Sequence, residues 1–269
     1  MRNAGSGSDD PGALLREGLA SGHIYVAFQP KVSLRTGGLI GVEALARWNS
    51  PRLGMVSPDV FIPMAEREGL IGELSTLILR EALEACVQLR RHAPDITVAV
   101  NIAPSVLSDA TLPAQIDCAL TAAGLPPSAL VAEITESQVI ADTTGAAVTL
   151  GALRARGINC SIDDFGTGHA SLLSLLRLPF SELKIDRAFV THCATDKDAE
   201  TIVRATLGLA REMRLHVVAE GIETQDAETM LMALGCVTGQ GFHYGHAMTP
   251  SAIIAGLGRS GASPIVFNA

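Results

Sequence analysis

The amino-acid sequence predicts a closed (β/α)8 barrel of the α/β class in which one strand runs antiparallel to the others. From Ile24 onward, short β-branched runs alternate with stretches of helical periodicity, the pattern of repeated β-α units. With 269 residues, 48% of them hydrophobic, the chain has the length for about eight such units and the apolar volume to fill a core. The segment between the first two strands holds Arg35-Thr36-Gly37-Gly38 and is too short for a crossover helix, so those strands should pair as an antiparallel hairpin. An open doubly wound sheet is the structural alternative.

The expected strands, in order, are Ile24–Gln29, Leu39–Arg47, Ile96–Ile102, Leu130–Ile134, Ile158–Asp163, Glu182–Ile185, Val217–Ala219 and a short one at Cys236–Gln240. Between them, helices are expected at Glu73–Arg91, Pro113–Ala123, Ala146–Arg156, Asp198–Met213 and Asp226–Leu234. Ser57 precedes Pro58 at a first helical position, and Gly124 and Gly235 stand where helices should stop. Residues 1–19, whose opening Met1 to Pro11 is rich in Gly, Ser and Asp, read as a linker remnant that an upstream sensory or regulatory domain would precede. Residues 20–259 read as one catalytic-size domain and residues 260–269 as a C-terminal tail.

No apolar run approaches the roughly 20 residues needed to span a bilayer, and there is no signal-peptide pattern, so no membrane contact is expected. The five cysteines are widely spaced and include no C-x-x-C pair, which disfavours a disulfide framework or a zinc knuckle and favours a reducing, cytoplasmic setting. Lys plus Arg number 20 against 28 Asp plus Glu, a net charge of −8. That balance argues against a DNA or RNA binder held by phosphate neutralisation.

Polar residues recur at or just after the C-terminal ends of the apolar strands: Glu43, Asn101, Glu133, Asp163, Asp164, Lys184, Asp186 and Glu220. In a barrel these ends converge on one face, so the side chains should meet in one bowl. Like charges at ~4 Å repel by about 4 kcal/mol at an effective dielectric of 20, which makes such an array tolerable mainly if some acids are protonated or cations sit among them. An all-oxygen set with one amide suits Mg²⁺ or Mn²⁺ better than Zn²⁺. Adjacent Asp163 and Asp164 could serve two ions or bridge them, and two ions ~3.5–4 Å apart clamp the attacking and leaving oxygens of a phosphodiester. Lys184 suits holding the attacking water or a non-bridging oxygen; its plainer reading is neutralisation of the acids around it.

These residues lie in a series of ordered motifs: Phe28-Gln29-Pro30, Glu43-Ala44-Leu45-Ala46-Arg47-Trp48, Phe61-Ile62-Pro63-Met64-Ala65-Glu66, Val100-Asn101-Ile102, Glu133-Ile134-Thr135-Glu136, Asp163-Asp164-Phe165-Gly166-Thr167-Gly168, Leu183-Lys184-Ile185-Asp186, Val218-Ala219-Glu220-Gly221-Ile222-Glu223-Thr224 and Gly239-Gln240-Gly241. In that order, over about residues 20–250, the sequence resembles the EAL domain family of cyclic di-GMP-specific phosphodiesterases. The resemblance implies a barrel with one antiparallel strand, two Mg²⁺ or Mn²⁺ ions, hydrolysis of cyclic di-GMP to linear 5′-pGpG, and a homodimer. It implies that Glu43, Asn101, Glu133 and Asp163 hold one metal, and Asp163, Asp164 and Glu220 the other, with Asp163 bridging. Lys184 would position the nucleophilic water, and Gln240 would support that water or the second-metal site. Arg47 would pair with a substrate phosphate. Gln29, Leu45, Phe61, Asp186 and Glu223 are further substrate-binding candidates, and Glu136 would hold the loop after Asp164. A catalytically silent cyclic di-GMP receptor or interaction module is the competing reading; degenerate members usually lose one of the acids, and none is lost here.

Three departures from the family pattern stand out. His169-Ala170 replace a usual Tyr-Ser, Val237 a frequent Asp, and His246-Ala247 a basic residue and Pro. Two look-alikes are set aside. The glycines after Asp164 lack the third glycine of a dinucleotide fingerprint, and two acids there would repel a pyrophosphate. His243 and His246 have no third zinc-ligand motif. The Leu172–Leu178 cluster, with Met230 and Met232, is expected to pack helices onto the barrel.

Overall fold

The computed structural model describes residues 10–141, 143–166, 172–257 and Phe267. Nine strands form: β1 Ile24–Ser33, β2 Leu39–Ser50, β3 Gly54–Val56, β4 Thr97–Asn101, β5 Leu130–Thr135, β6 Asn159–Phe165, β7 Glu182–Ile185, β8 His216–Ala219 and β9 Thr238–Gln240. Their order is β1-β9-β8-β7-β6-β5-β4-β2-β3, and an additional β1–β2 pairing closes the ring. That closure overturns the open-sheet alternative. β1 is antiparallel to both of its neighbours, β2 and β9, whereas the pairings from β2 through β4 round to β9 are parallel. The short Arg35–Gly38 connection therefore does what its length required.

β3 was not anticipated. It is three residues long and hangs off the far end of β2 as an antiparallel flap outside the barrel, pairing Trp48 with Val56. β1 and β2 also run on past their expected ends at Gln29 and Arg47, because a long hairpin pairs along its whole length. The five expected helices form as Ile71–Arg90, Leu112–Ala123, Thr143–Ala155, Lys197–Met213 and Gln225–Leu234. Gly124 and Gly235 end two of them in left-handed backbone, φ 67° and 89°, where a side chain would be strained.

The apolar core lies between the outer face of the strands and the helices. On β2, β5, β6 and β7, the alternate residues Val42 and Ala44, Ala132 and Ile134, Cys160 and Ile162, and Leu183 and Ile185 belong to it. Their neighbours in sequence, Glu43, Glu133, Ser161, Asp163, Glu182 and Lys184, take the opposite face and fill the barrel interior. Burial of a continuous apolar surface outside the strands thus leaves the interior free to be polar.

A second core corrects two expectations. The helix Pro11–Ala20 places Leu14 and Leu15 against Trp48, Phe61, Met64 and Leu74, so residues 11–19 belong to the domain and not to a linker. Phe61 is fully buried there, edge-to-face with Trp48 at a ring distance of 5.9 Å, which removes it from the substrate pocket. Replacing Phe61 with alanine should cost about 3–5 kcal/mol of stability by opening a cavity. In thermal melts the variant should unfold early, while kcat per folded molecule stays near that of the parent; a selective rise in KM would return Phe61 to the pocket. In the tail, Phe267 is buried, and its N–H donates to the Tyr244 carbonyl at 2.6 Å. Leu176 and Met232 point outward instead of packing onto the barrel. Among the described residues, no helix is long and apolar enough to cross a membrane.

Candidate active site

At or just after the C-terminal ends of the parallel strands, β2, β4, β5, β6, β7, β8 and β9 bring their polar side chains to one place. Register fixes this: Asn101 of β4 lies beside Glu133 of β5, and Thr135 of β5 beside Asp163 of β6. The Asn101 amide donates to Glu43 at 3.1 Å and to Glu133 at 3.4 Å. Gln240 on β9 donates to Glu43 and, at 3.3 Å, to the Gln29 side-chain oxygen. Carboxylate oxygens of Glu43, Glu133 and Asp163 lie within 4.8 Å of one another, and so do those of Asp163, Asp164 and Glu220. Asp163 is common to both groups.

Adjacent residues of a regular strand point to opposite faces, so Asp163 and Asp164 should not meet. Asp164 takes the left-handed conformation, φ 55°, and the β6–β7 register slips between Ile162 and Phe165. This irregularity turns the second carboxylate back into the bowl. Aspartate is among the few residues that tolerate such backbone, because its side chain can bond locally. Here the Asp164 N–H donates to the Asp163 carboxylate at 2.9 Å. Next along the chain, the Gly166 N–H donates to Glu136 at 2.9 Å, so Glu136 does touch the loop it was expected to hold. His169 and Ala170 lie outside the described residues.

Lys184 stands at the centre, fully buried, with its Nζ 2.7 Å from Glu220, 3.0 Å from Asp163, 3.2 Å from Glu133 and 3.6 Å from Glu43. Burial by itself would disfavour its charge, but Glu133 and Glu220 outweigh that and hold the ammonium well above the usual lysine range. Burial likewise opposes ionisation of Glu43, yet Lys184 and Lys31, with hydrogen bonds from Gln240 and Asn101, bring it down to about 2. Burial dominates for Glu133 and Glu220, pushed up to about 7 and about 8. Burial, Asp163 and Asp186 together push Asp164 up to about 6. Two ammonium groups are thus too few for five gathered carboxylates, and burial keeps Glu133 and Glu220 high even though each lies 2.7 Å from an ammonium.

A cavity of about 190 Å³ opens above this centre, lined by Gln29, Leu45, Arg187, Glu223 and Phe242 as well as the acids. Asp186 caps the helix Arg187–Val190, accepting from the Ala188 N–H at 2.8 Å, and does not itself line the cavity. Arg47 is half-buried on β2 and donates to the Ala46 carbonyl at 2.9 Å; it does not line the cavity. Sequence reasoning missed Lys31, Arg187 and the exposed Phe242. Lys31 could have been found, since it shares a strand face with Gln29, two residues away. Gly241 lets the chain between Gln240 and Phe242 lie against the Ile222 backbone: a Cβ there would lie 2.1 Å from the Ile222 carbonyl oxygen. Near Val237 and His246 the chain departs from the family pattern without disturbing the bowl, for Val237 is exposed and His246 stacks on Phe242 at 4.1 Å. His243 lies 3.8 Å from Glu228 instead of meeting a ligand set with His246.

With this geometry in hand, comparison with known proteins gives a match to the EAL domain over residues 13–247. The chain belongs to the EAL domain family. It is 42% identical over 248 residues to the bifunctional diguanylate cyclase/cyclic di-GMP phosphodiesterase MucR of Pseudomonas aeruginosa, covering 90% of this chain and 36% of that protein. It is 36% identical over 231 residues to the cyclic di-GMP phosphodiesterase RocR of the same organism, covering 86% of this chain and 59% of RocR. The chain therefore spans only part of the length of these relatives. Among solved structures, the PaMucR phosphodiesterase in complex with c-di-GMP superposes with a TM-score of 0.84 at 41% identity, covering 89% of this chain and 97% of that one.

In this EAL domain the Glu43-Ala44-Leu45 motif has a simple structural meaning. Period-two alternation sends Glu43 into the bowl, Ala44 outward into the core and Leu45 to the mouth of the cavity. The residues also fit a divalent metal. Their donors are all oxygen, two overlapping triads share Asp163, and the Gln240 side-chain oxygen is buried without a hydrogen-bond partner. An orphaned acceptor beside under-compensated acids is the environment a hydrated cation satisfies.

Proposed function

We propose that this domain is a metal-dependent phosphodiesterase that hydrolyses cyclic di-GMP to linear 5′-pGpG. The observation that carries this reading is the pair of carboxylate triads sharing Asp163 around a buried lysine at the C-terminal face of the barrel. Glu43, Asn101, Glu133 and Asp163 would hold one Mg²⁺ or Mn²⁺ ion, and Asp163, Asp164 and Glu220 a second. When bound, such ions supply a nucleophilic water at neutral pH and neutralise charge on the phosphodiester.

The chain's own residues do the rest. Lys184, fixed by four carboxylates, keeps one ammonium aimed into the bowl, where it orients the attacking water or a non-bridging phosphate oxygen. The Gln240 amide, anchored on Glu43 and Gln29, offers its free oxygen as an acceptor for that water. Addition of the water breaks one phosphorus–oxygen ester bond, and the departing ribose oxygen takes up a proton, which opens the ring. At the mouth, Leu45 and Phe242 offer apolar faces to the nucleobases, and Arg187 an anion partner. Gln29 and Glu223 contribute hydrogen-bonding groups there. Glu136 keeps the segment after Asp164 in register through Gly166. A cytoplasmic homodimer carrying an upstream sensory or regulatory domain accords with this reading. No DNA or RNA partner is implied.

The test is product analysis. Protein loaded with Mg²⁺ or Mn²⁺ and incubated with cyclic di-GMP should yield pGpG by chromatography, and a chelator should stop it. Absence of product from metal-loaded protein, with binding retained, would instead make the domain a receptor.

A further inference from the structure

The sequence contains three lysines, Lys31, Lys184 and Lys197, so nearly all of its 20 basic residues are arginine. Two of these three lie inside the barrel: Lys184 at 0% exposure and Lys31 at 4%. Arginine serves as the general surface cation of this chain, and the compact lysine ammonium is found where a point charge must fit between strands. Lys184 belongs to the site described above. Lys31 supports that site from beneath without lining its cavity, and the family motifs in the sequence leave it without a role.

Lys31 rises from β1 at the register position paired with Gly41 of β2 and with Gln240 of β9. Its Nζ lies 2.7 Å from Glu133 Oε1 and 3.8 Å from Glu182 Oε1. The second oxygen of Glu133 faces the other way, 3.2 Å from Lys184 and 3.4 Å from the Asn101 amide. Glu133 is fully buried, so no bulk water competes for either oxygen. A buried ammonium is costly to desolvate, and an apolar residue would fill a barrel more cheaply. Its retention has to be explained by what it fixes.

We propose that Lys31 is a positioning residue for Glu133, holding Oε1 so that the carboxylate presents Oε2 alone to the donor set it shares with Glu43, Asn101 and Asp163. The inference rests on the metal-dependent reading of that set and deepens it. An outer partner that orients a ligand typically changes metal affinity or activity by about 10–100-fold when removed. Lys31→Met keeps side-chain length and deletes the charge and donors. Titration calorimetry with Mn²⁺ and no substrate should show affinity weaker by about 10–100-fold. Where turnover is measurable, kcat should fall by a similar factor with KM little changed. A folded Lys31→Met protein that binds Mn²⁺ as the parent does overturns the proposal.

A second measurement needs no variant. With ¹⁵N-lysine labelling, the two buried ammonium groups should give slowly exchanging signals distinct from exposed Lys197, and Mg²⁺ should shift both. A shift confined to Lys184 overturns the proposal. Because neither binding readout uses substrate, a weakened Mn²⁺ affinity in a protein that fails to hydrolyse cyclic di-GMP would leave Lys31 in this role and remove the phosphodiesterase reading instead.

Discussion

Asp163→Asn should lower kcat for cyclic di-GMP by at least on the order of 10³-fold, the scale on which a group stabilising transition-state charge is lost. Asp163 is the one acid common to both carboxylate triads, so its loss weakens each of them. The substitution is nearly isosteric. An asparagine oxygen can still accept the Asp164 N–H that Asp163 now binds at 2.9 Å, so the left-handed turn at Asp164 should survive. What disappears is one negative charge, 3.0 Å from Lys184 and shared by both triads. Mn²⁺ titration should show weaker binding at more than one site, while the far-ultraviolet circular dichroism and melting temperature stay close to those of the parent. A rate within tenfold of the parent would take Asp163 out of the bridging position.

Lys184→Met should strongly destabilise the domain, and metal should reverse part of the loss. Four carboxylates lie within 3.6 Å of the Lys184 ammonium, and three of them, Glu43, Glu133 and Asp163, are themselves buried. Removing the cation leaves these acids facing one another. Breaking one side of a buried ion pair costs about 3–5 kcal/mol. At roughly 2–4 °C per kcal/mol for a domain of this size, the melting temperature in chelator should fall by about 6–20 °C. Divalent metal supplies replacement charge at the same place, so Mg²⁺ should raise the melting temperature of the variant more than that of the parent. Equal shifts in the two proteins would mean that Lys184 and the metal do not share the same carboxylates. Turnover should be lost in either case, since the group that orients the water is gone.

Much of this site could be read in the sequence because the barrel has a simple rule. Each strand alternates, and a polar residue that interrupts an apolar run near its C-terminal end has one place to go. Glu43, Asn101, Glu133, Asp163, Lys184 and Gln240 all follow that rule and all meet. Phe61 misled because an aromatic residue inside a family motif carries no sign of which surface it covers. Only the packing of the helices Pro11–Ala20 and Pro58–Arg67 over Trp48 shows that it is core. The same packing turned residues 11–19 from linker into domain, since Leu14 and Leu15 bury their side chains there. Lys31 and Phe242 went unnoticed for opposite reasons. One lies beyond Gln29, where the first strand was expected to end, and the other sits in a short loop with no periodicity to betray its direction.

By itself, then, the sequence determined the order of the eight barrel strands and the five main helices, the antiparallel entry of β1 and the identity of the acids, because period-two and period-3.6 patterns and a four-residue turn are local properties. It also determined that the chain is too acidic to hold phosphates by bulk charge. Tertiary structure decided how those acids are compensated. Ring closure brings β1 beside β2 and β9, which puts Lys31 under Glu133 and Gln240 beside Glu43, contacts between residues 102 and 197 positions apart. The slip between β6 and β7 turns Asp164 to the same side as Asp163, against the alternation any sequence reading must assume. Both depend on which strands become neighbours and in what register, and that is fixed only when the whole outer core closes around the barrel.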